Sequence, residues 1–262
     1  SEMCIRDRFW GTKNLFEAKV CILGLGYIGL PTAVTLASVG HRVVGYDVNR
    51  ERLKKLNSGV LPFSETGLAD RFSKVLGNKK LQIKDKVEAA DIFIICVPTP
   101  VVPSKTGPSP DTKHVLDAVD AISEVVCAGD LIIVESTCPV GTTANLREYM
   151  ASKVSFTEKI DFVCCPERVL PGNILHELVY NDRVVGGLTE PSTERAKRLY
   201  QTYVKGKIYS CTAIEAEICK LAENSYRDVN IAFANELSRI CDSVDVDPIN
   251  LIKIANRHPR VN

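Results

Sequence analysis

A short apolar run, Val20-Cys21-Ile22-Leu23, stops at Gly24-Leu25-Gly26-Tyr27-Ile28-Gly29 and gives way to a helical pattern over residues 28–39. Glycines at this spacing between a strand and a helix restrict the fold more than any other feature of the chain. The first permits a tight turn, the second lets a ligand approach the backbone, and the third lets helix and strand pack closely. A second strand, His41–Tyr46, follows, and Asp47 stands at its tip, 18 residues beyond Gly29. A carboxylate there can bond both hydroxyls of an adenosine ribose, while phosphates would meet free N–H groups at the positive end of the helix. Strand, loop, helix, strand and acid in this order point to a dinucleotide site built on Gly24, Gly26, Gly29 and Asp47. The acid would clash with a 2′-phosphate and so favours NAD over NADP, although Arg50 and Arg52 nearby pull the other way.

The same alternation continues. Helical Arg50–Leu56 is followed by Asp91–Val97, a continuous apolar run of the kind expected of a strand covered on both faces. Asp111–Cys127 reads as a helix with Val115, Leu116, Val119 and Ile122 on one stripe. Leu131–Glu135, Asp161–Cys164 and Arg183–Val185 read as further strands, with helices near 142–152 and 190–203. The stretch from Val97 to Pro110, with five prolines and one glycine, reads as an irregular loop. This order predicts an α/β fold: a Rossmann-like, doubly wound parallel sheet with helices on both faces. Residues 18–210 are expected to form that domain. The rhythm then changes to one long helical pattern over 212–242, a spine, with a shorter helix from Pro248 to Ala255. Residues 1–17 fit none of these patterns and are expected to be a non-native or disordered segment.

Composition narrows the class. Of 262 residues, 45% are hydrophobic and 25% charged, a globular balance. Lys plus Arg number 33 and Asp plus Glu 32, a net charge of +1 that lacks the basic footprint of a nucleic-acid binder. No apolar run approaches the roughly 20 residues of a membrane span, so a cytoplasmic protein with no nucleic-acid or membrane partner is expected. The ten cysteines are interspersed among apolar segments without Cys-x-x-Cys spacing. They are expected to be mostly buried reduced thiols, with no metal site.

Two later segments place polar groups at strand ends, where ligands of open α/β sheets bind. They are Ser136-Thr137-Cys138-Pro139-Val140-Gly141-Thr142 and Cys165-Pro166-Glu167-Arg168-Val169-Leu170-Pro171-Gly172. Ordinary turn chemistry is the competing reading for each. Lys220, Asn224 and Arg227, at steps of four and three, project from one face of the long helix. That stripe is either a solvated face or, pocketed among carboxylates, a place where a lysine acts as acid or base.

Taken together, GLGYIGLPTA, VPTP, ESTCPVGTT, CPERVLPG, CKLAENSYRDVNIAFANEL and ANRHPRVN resemble the UDP-sugar dehydrogenases from about Lys19 to Asn262. Arg168 after Cys-Pro-Glu and the closing Arg257-His258-Pro259-Arg260 favour the branch that acts on N-acetylated sugars. The resemblance implies NAD-dependent oxidation of the sugar C6 alcohol to a carboxylate in two hydride transfers. UDP-N-acetyl-D-mannosamine is the first expectation as substrate, and bacterial surface polysaccharide synthesis the setting. UDP-N-acetylglucosamine, UDP-glucose or a GDP-sugar are alternatives, as is a non-catalytic NAD-binding or dimerisation module. Tyr27, Ile28, Asp47, Arg52, Thr99 and Thr137 are implied to contact NAD. Glu167 is implied to position or activate the water that cleaves a thioester intermediate. Lys220 is implied as proton donor or acceptor, with Asn224 beside it in the catalytic set. Arg168, Val169, Lys220, Asn224, Arg227, His258 and Arg260 are implied to hold the UDP-sugar, and a homodimer is implied through the long helix.

The family's nucleophilic cysteine sits in a Gly-Gly-His-Cys loop shortly beyond the last matching segment. Cys241, the last cysteine here, precedes Arg257. The chain as given is therefore expected to lack that thiol and the C-terminal UDP-binding domain. Residues 211–262 are then the spine helix and the start of the dimerisation and substrate region.

Overall fold

The computed structural model describes residues 18–104 and 107–260. The expectation for residues 1–17 falls outside them. In chain order, β1 (Lys19–Leu23), α1 (Gly29–Ser38), β2 (Arg42–Tyr46), α2 (Arg50–Asn57), α3 (Leu68–Gly77), β3 (Leu81–Lys84) and β4 (Ile92–Ile95) form the first half of the sheet. After these come β5 (Val101–Ser104), β6 (Gly107–Pro110), α4 (Lys113–Ser123), β7 (Leu131–Val134), α5 (Thr142–Ala151) and β8 (Asp161–Cys164). The remainder is α6 (Ile174–Tyr180), β9 (Arg183–Gly187), α7 (Glu190–Tyr200), β10 (Ile208–Thr212), α8 (Ala213–Ser243) and α9 (Pro248–Ala255).

Eight strands form one sheet in the order β10-β9-β8-β7-β4-β1-β2-β3. Successive side chains of a strand point to opposite faces, and the two faces of this sheet bury different sets. Val20, Ile22, Ile92 and Ile94 pack with Leu30, Phe72 and Leu199 on one side. Cys21, Leu23, Phe93 and Ile95 pack with Val115, Val119, Leu146 and Met150 on the other. This is why the central strands are apolar throughout rather than alternating. The strand order reverses at β1, which lies between β4 and β2. In open sheets a ligand crevice forms at that switch point, beyond the carboxyl ends of the strands.

Two expectations need correction. The sheet is mixed: β9 pairs antiparallel to β8, with Cys164 opposite Gly186, and β10 runs parallel to β9. The cause is the connection. The seven residues of α6 rise only about 10 Å and do not carry the chain back across the sheet, so β9 starts beside the end of β8. Residues 97–110 are also not wholly irregular, because β5 and β6 pair as an antiparallel hairpin. Their prolines are tolerated in an isolated two-stranded edge and mask the strand signal.

The chain divides into two compact units at Ile218/Cys219. The first holds the sheet, its helices and the start of α8. The second holds the rest of α8 and α9. Asp247 caps α9, its Oδ1 accepting from Ile249 N at 3.0 Å and its Oδ2 from Asn250 N at 3.3 Å, with Pro248 leading the helix. Ile231, Phe233, Ile240, Ile249 and Ile254 are exposed in this unit. Among the described residues, no helix is long and apolar enough to cross a membrane.

Candidate nucleotide and substrate site

The glycine loop is shaped by contacts a side chain would break. Gly24 has φ +93°, and a Cβ on it would lie 2.5 Å from the Cys96 carbonyl oxygen. A Cβ on Gly29 would collide with the Gly24 carbonyl oxygen, so the start of α1 closes onto the end of β1. Gly26 differs, because nothing lies within 4 Å of where its Cβ would be. The N-cap of α1, Ile28, provides no side-chain cap, and the first turn carries no acid. An uncapped helix N-terminus beside an open glycine suits a pyrophosphate.

Asp47 is buried at the tip of β2 and stitches this loop to its neighbour. Its Oδ2 accepts from Leu25 N at 2.8 Å and its Oδ1 from Asn49 N at 2.8 Å. Arg52 Nη1 lies 2.7 Å from Asp47 Oδ2, so this guanidinium is paired with the acid and is not left to attract a 2′-phosphate. Asn49 accepts from Arg52 N and caps α2, which holds the arginine in place. Across the switch point, Thr99 Oγ1 donates to the Thr137 carbonyl at 2.6 Å. Ser136 Oγ donates to the Val97 carbonyl at 2.7 Å. The loops after β4 and β7 are thereby tied together beside the glycine loop.

Glu167 follows β8 at the same carboxyl edge. It is buried, with Oε2 accepting from Arg183 Nη2 at 2.8 Å and Oε1 from Arg168 N at 2.7 Å. Arg183 opens β9, so the antiparallel turn of the chain is what brings it here. Behind it Glu135 accepts from Tyr200 Oη at 2.8 Å and stands 3.7 Å from Arg183 Nη1. The guanidinium also lies over the Tyr200 and Tyr203 rings, 4.8 and 5.7 Å from their centroids. Burial raises the Glu135 carboxyl above its ordinary value, with Arg183 pulling the other way. One guanidinium thus faces two buried carboxylates.

Among the described residues, eight cysteines are free thiols. Burial pushes Cys138 and Cys165, which lie in the two polar segments, each up to about 12. Neither thiol therefore offers a nucleophilic thiolate near neutral pH. The segment 136–142 divides in two. Thr137 meets Thr99, but the start of α5 is already occupied: Glu217 accepts from Gly141 N at 2.5 Å and from Thr143 N at 2.8 Å. Among the described residues, no group of three or more His, Cys, Asp or Glu side chains is placed to hold a metal ion.

The remaining site candidates are distributed over both units. Arg168 is half-buried and donates to the Asp182 carbonyl at 3.2 Å, while Val169 packs on the sheet core. In the second unit, Lys220 and Asn224 are half-buried on α8, and Arg227 donates to Asn224 Oδ1 at 3.2 Å. His258 and Arg260 lie in the exposed turn after α9, where Arg260 N donates to His258 Nδ1 at 3.3 Å.

Sequence reasoning missed Glu65, Glu135, Arg183 and Glu217. Glu65 is buried on the approach to α3 and accepts from Tyr27 Oη at 3.2 Å, Gly172 N at 3.1 Å and Ile174 N at 2.9 Å. Burial, then the bond to Glu65, raises the Tyr27 phenol above its ordinary value. Glu135 stands in the ESTCPVGTT segment, but each of the four is a lone charge with no spacing to mark it. Its significance lies in partners far away in sequence, which no local signal reveals.

A glycine loop at the switch point, with an acid at the tip of the next strand, defines a dinucleotide-binding α/β domain. Comparison with known proteins narrows the class: the chain belongs to the UDP-glucose/GDP-mannose dehydrogenase family. Residues 18–204 match the NAD binding domain of that family and residues 214–262 its central domain. The chain is 46% identical over 245 residues to a UDP-N-acetyl-D-mannosamine dehydrogenase of Methanococcus vannielii, covering 93% of this chain and 56% of that protein. The native structure of the UDP-N-acetyl-mannosamine dehydrogenase of Staphylococcus aureus superposes with TM-score 0.87 at 44% identity, over 94% of this chain and 60% of that one. An NDP-N-acetyl-D-galactosaminuronic acid dehydrogenase of Ralstonia nicotianae is 44% identical over 93% of this chain and 59% of its own length. The chain therefore spans a little over half the length of the relatives it matches, and its cofactor is NAD.

Proposed function

We propose that this chain is the NAD-binding and central portion of a UDP-N-acetylhexosamine 6-dehydrogenase, with UDP-N-acetyl-D-mannosamine as substrate and its uronate as product. The observation that carries the reading is Glu167, locked by Arg183 at the same sheet edge as the glycine loop. NAD, when bound, would supply the hydride acceptor. The protein's part is to bind, orient and move protons. Gly26 leaves room for the pyrophosphate, and Asp47 takes the adenosine ribose on Oδ1, which keeps one lone pair beyond its bond from Asn49 N. Ile28 before α1, and Thr99 and Thr137 in the loops after β4 and β7, would complete the contacts to NAD. Glu167 accepts one hydrogen bond on each oxygen, which leaves each with a second lone pair for a water. A carboxylate fixed in this way orients the water that releases the acid product.

The loop after β8 and the second unit supply the remaining roles in this reading. Lys220 donates and accepts the proton of the C6 oxygen and, with Asn224, stabilises charge on it. Arg168 and Val169 of the first unit, and Arg227, His258 and Arg260 of the second, are assigned to the UDP-sugar, whose diphosphate suits the planar forks of the arginines. A homodimer forms through α8, whose Ile231 and Phe233 are exposed and apolar and whose Leu237 is half-buried. In this reading the nucleophilic cysteine and the UDP-binding domain belong to the part of the relatives' length that this chain does not span. A cytoplasmic location and a role in surface polysaccharide synthesis belong to the same proposal.

The test is stoichiometric. The chain completed to the length of its relatives, supplied with UDP-N-acetyl-D-mannosamine, is expected to yield two NADH per sugar, read at 340 nm. One NADH per sugar would place it among two-electron dehydrogenases and sink the reading.

A further inference from the structure

Two loops carry most of the chemistry assigned to the first unit: the glycine loop, and residues 166–172 with Glu167 and Arg168. They belong to different strands, and one buried carboxylate outside both joins them. Glu65 accepts from Tyr27 Oη on the glycine loop at 3.2 Å. On the other side it accepts from Gly172 N at 3.1 Å and Ile174 N at 2.9 Å. Gly172 has φ +96°, a conformation that favours glycine and aims the chain at this carboxylate. The Tyr27 ring is seated against Phe63, their centroids 4.7 Å apart, two residues from Glu65. Nearby in the same loop, Leu170 N donates locally to Glu177 of α6 at 2.8 Å.

We propose that Glu65 is a positioning residue through which nucleotide binding at the glycine loop orders the loop that bears Glu167 and Arg168. The inference rests on the reading of the glycine loop as the NAD site. Tyr27 lies between Gly26 and the first residue of α1, so a bound dinucleotide restricts its side chain. With Tyr27 fixed, Glu65 is held at one more point and its two amide donors open less often. The ordering cost of the second loop is then partly met when the first is occupied. A simple cap on the start of α6 would need Glu65 but not the Tyr27 hydroxyl, which separates the two explanations.

The experiment is amide hydrogen exchange at Gly172 and Ile174 in this chain, with and without saturating NAD. The parent is expected to show slowing by about fivefold or more on NAD addition, the lower end for coupled sites. Tyr27→Phe removes one hydroxyl and should lose the NAD-induced slowing while calorimetry shows that the variant still takes up NAD. Glu65→Gln should speed exchange without NAD and also lose the slowing. Full slowing retained in Tyr27→Phe overturns the proposal. NAD uptake by calorimetry with no slowing in the parent overturns the coupling alone, whereas no uptake overturns the cofactor reading with it.

Discussion

Arg183→Met is expected to destabilise the chain by about 3–5 kcal/mol, the cost of breaking a buried ion pair from one side. The substitution roughly preserves volume, so the loss is electrostatic. Glu167 would remain buried without the guanidinium 2.8 Å away, and Glu135 would lose the same neighbour. The readout is the urea midpoint at pH 7.5 with an unchanged slope. A loss under about 1 kcal/mol, the level of an exposed pair, would mean that solvent reaches the cluster and that Glu167 is not locked. Glu135→Gln is the control with the opposite sign. Because burial raises the folded-state value of Glu135, stability from its proton is complete at low pH and falls as pH rises through that value. A neutral amide removes this dependence, so the variant should gain on the parent as pH increases.

Lys220→Ala, made in the chain completed to its relatives' length, should lower kcat by about 10²–10⁴-fold, the usual contribution of a positioned acid or base. NAD affinity should stay within about twofold, because the loop, Asp47 and Thr99 that hold the cofactor in this account belong to the first unit. A parallel loss of NAD affinity would make Lys220 a structural residue and leave the proton transfer without a carrier.

These two substitutions fall on opposite sides of what the sequence reveals. Lys220, Asn224 and Arg227 are visible as a spacing on one helix, because helical geometry is local. The glycine loop and Asp47 are legible for the same reason, since strand, turn, helix and acid follow one another within thirty residues. The central strands β1, β4 and β7 announce themselves as continuous apolar runs, which burial on both faces demands. The direction of β9 does not, because Arg183–Gly187 has the same apolar content whichever way it runs. Yet that direction decides whether Arg183 reaches Glu167. Glu65 and Glu217 are hidden in a similar way: their amide partners are 74–109 residues distant. The hairpin of β5 and β6 is obscured by its prolines, which signal a loop until an isolated edge pair gives them a place.

The central claim is that the first unit binds NAD through the glycine loop and Asp47. Calorimetric titration of this chain with NAD, with NADP, and of Asp47→Ala with NAD tests it most directly. The account predicts saturable NAD binding, weaker NADP binding, and an Asp47→Ala affinity lower by about 10–100-fold, the value of a hydrogen bond to a charged acceptor. NAD affinity unchanged in Asp47→Ala, or NADP bound as tightly as NAD, would contradict it.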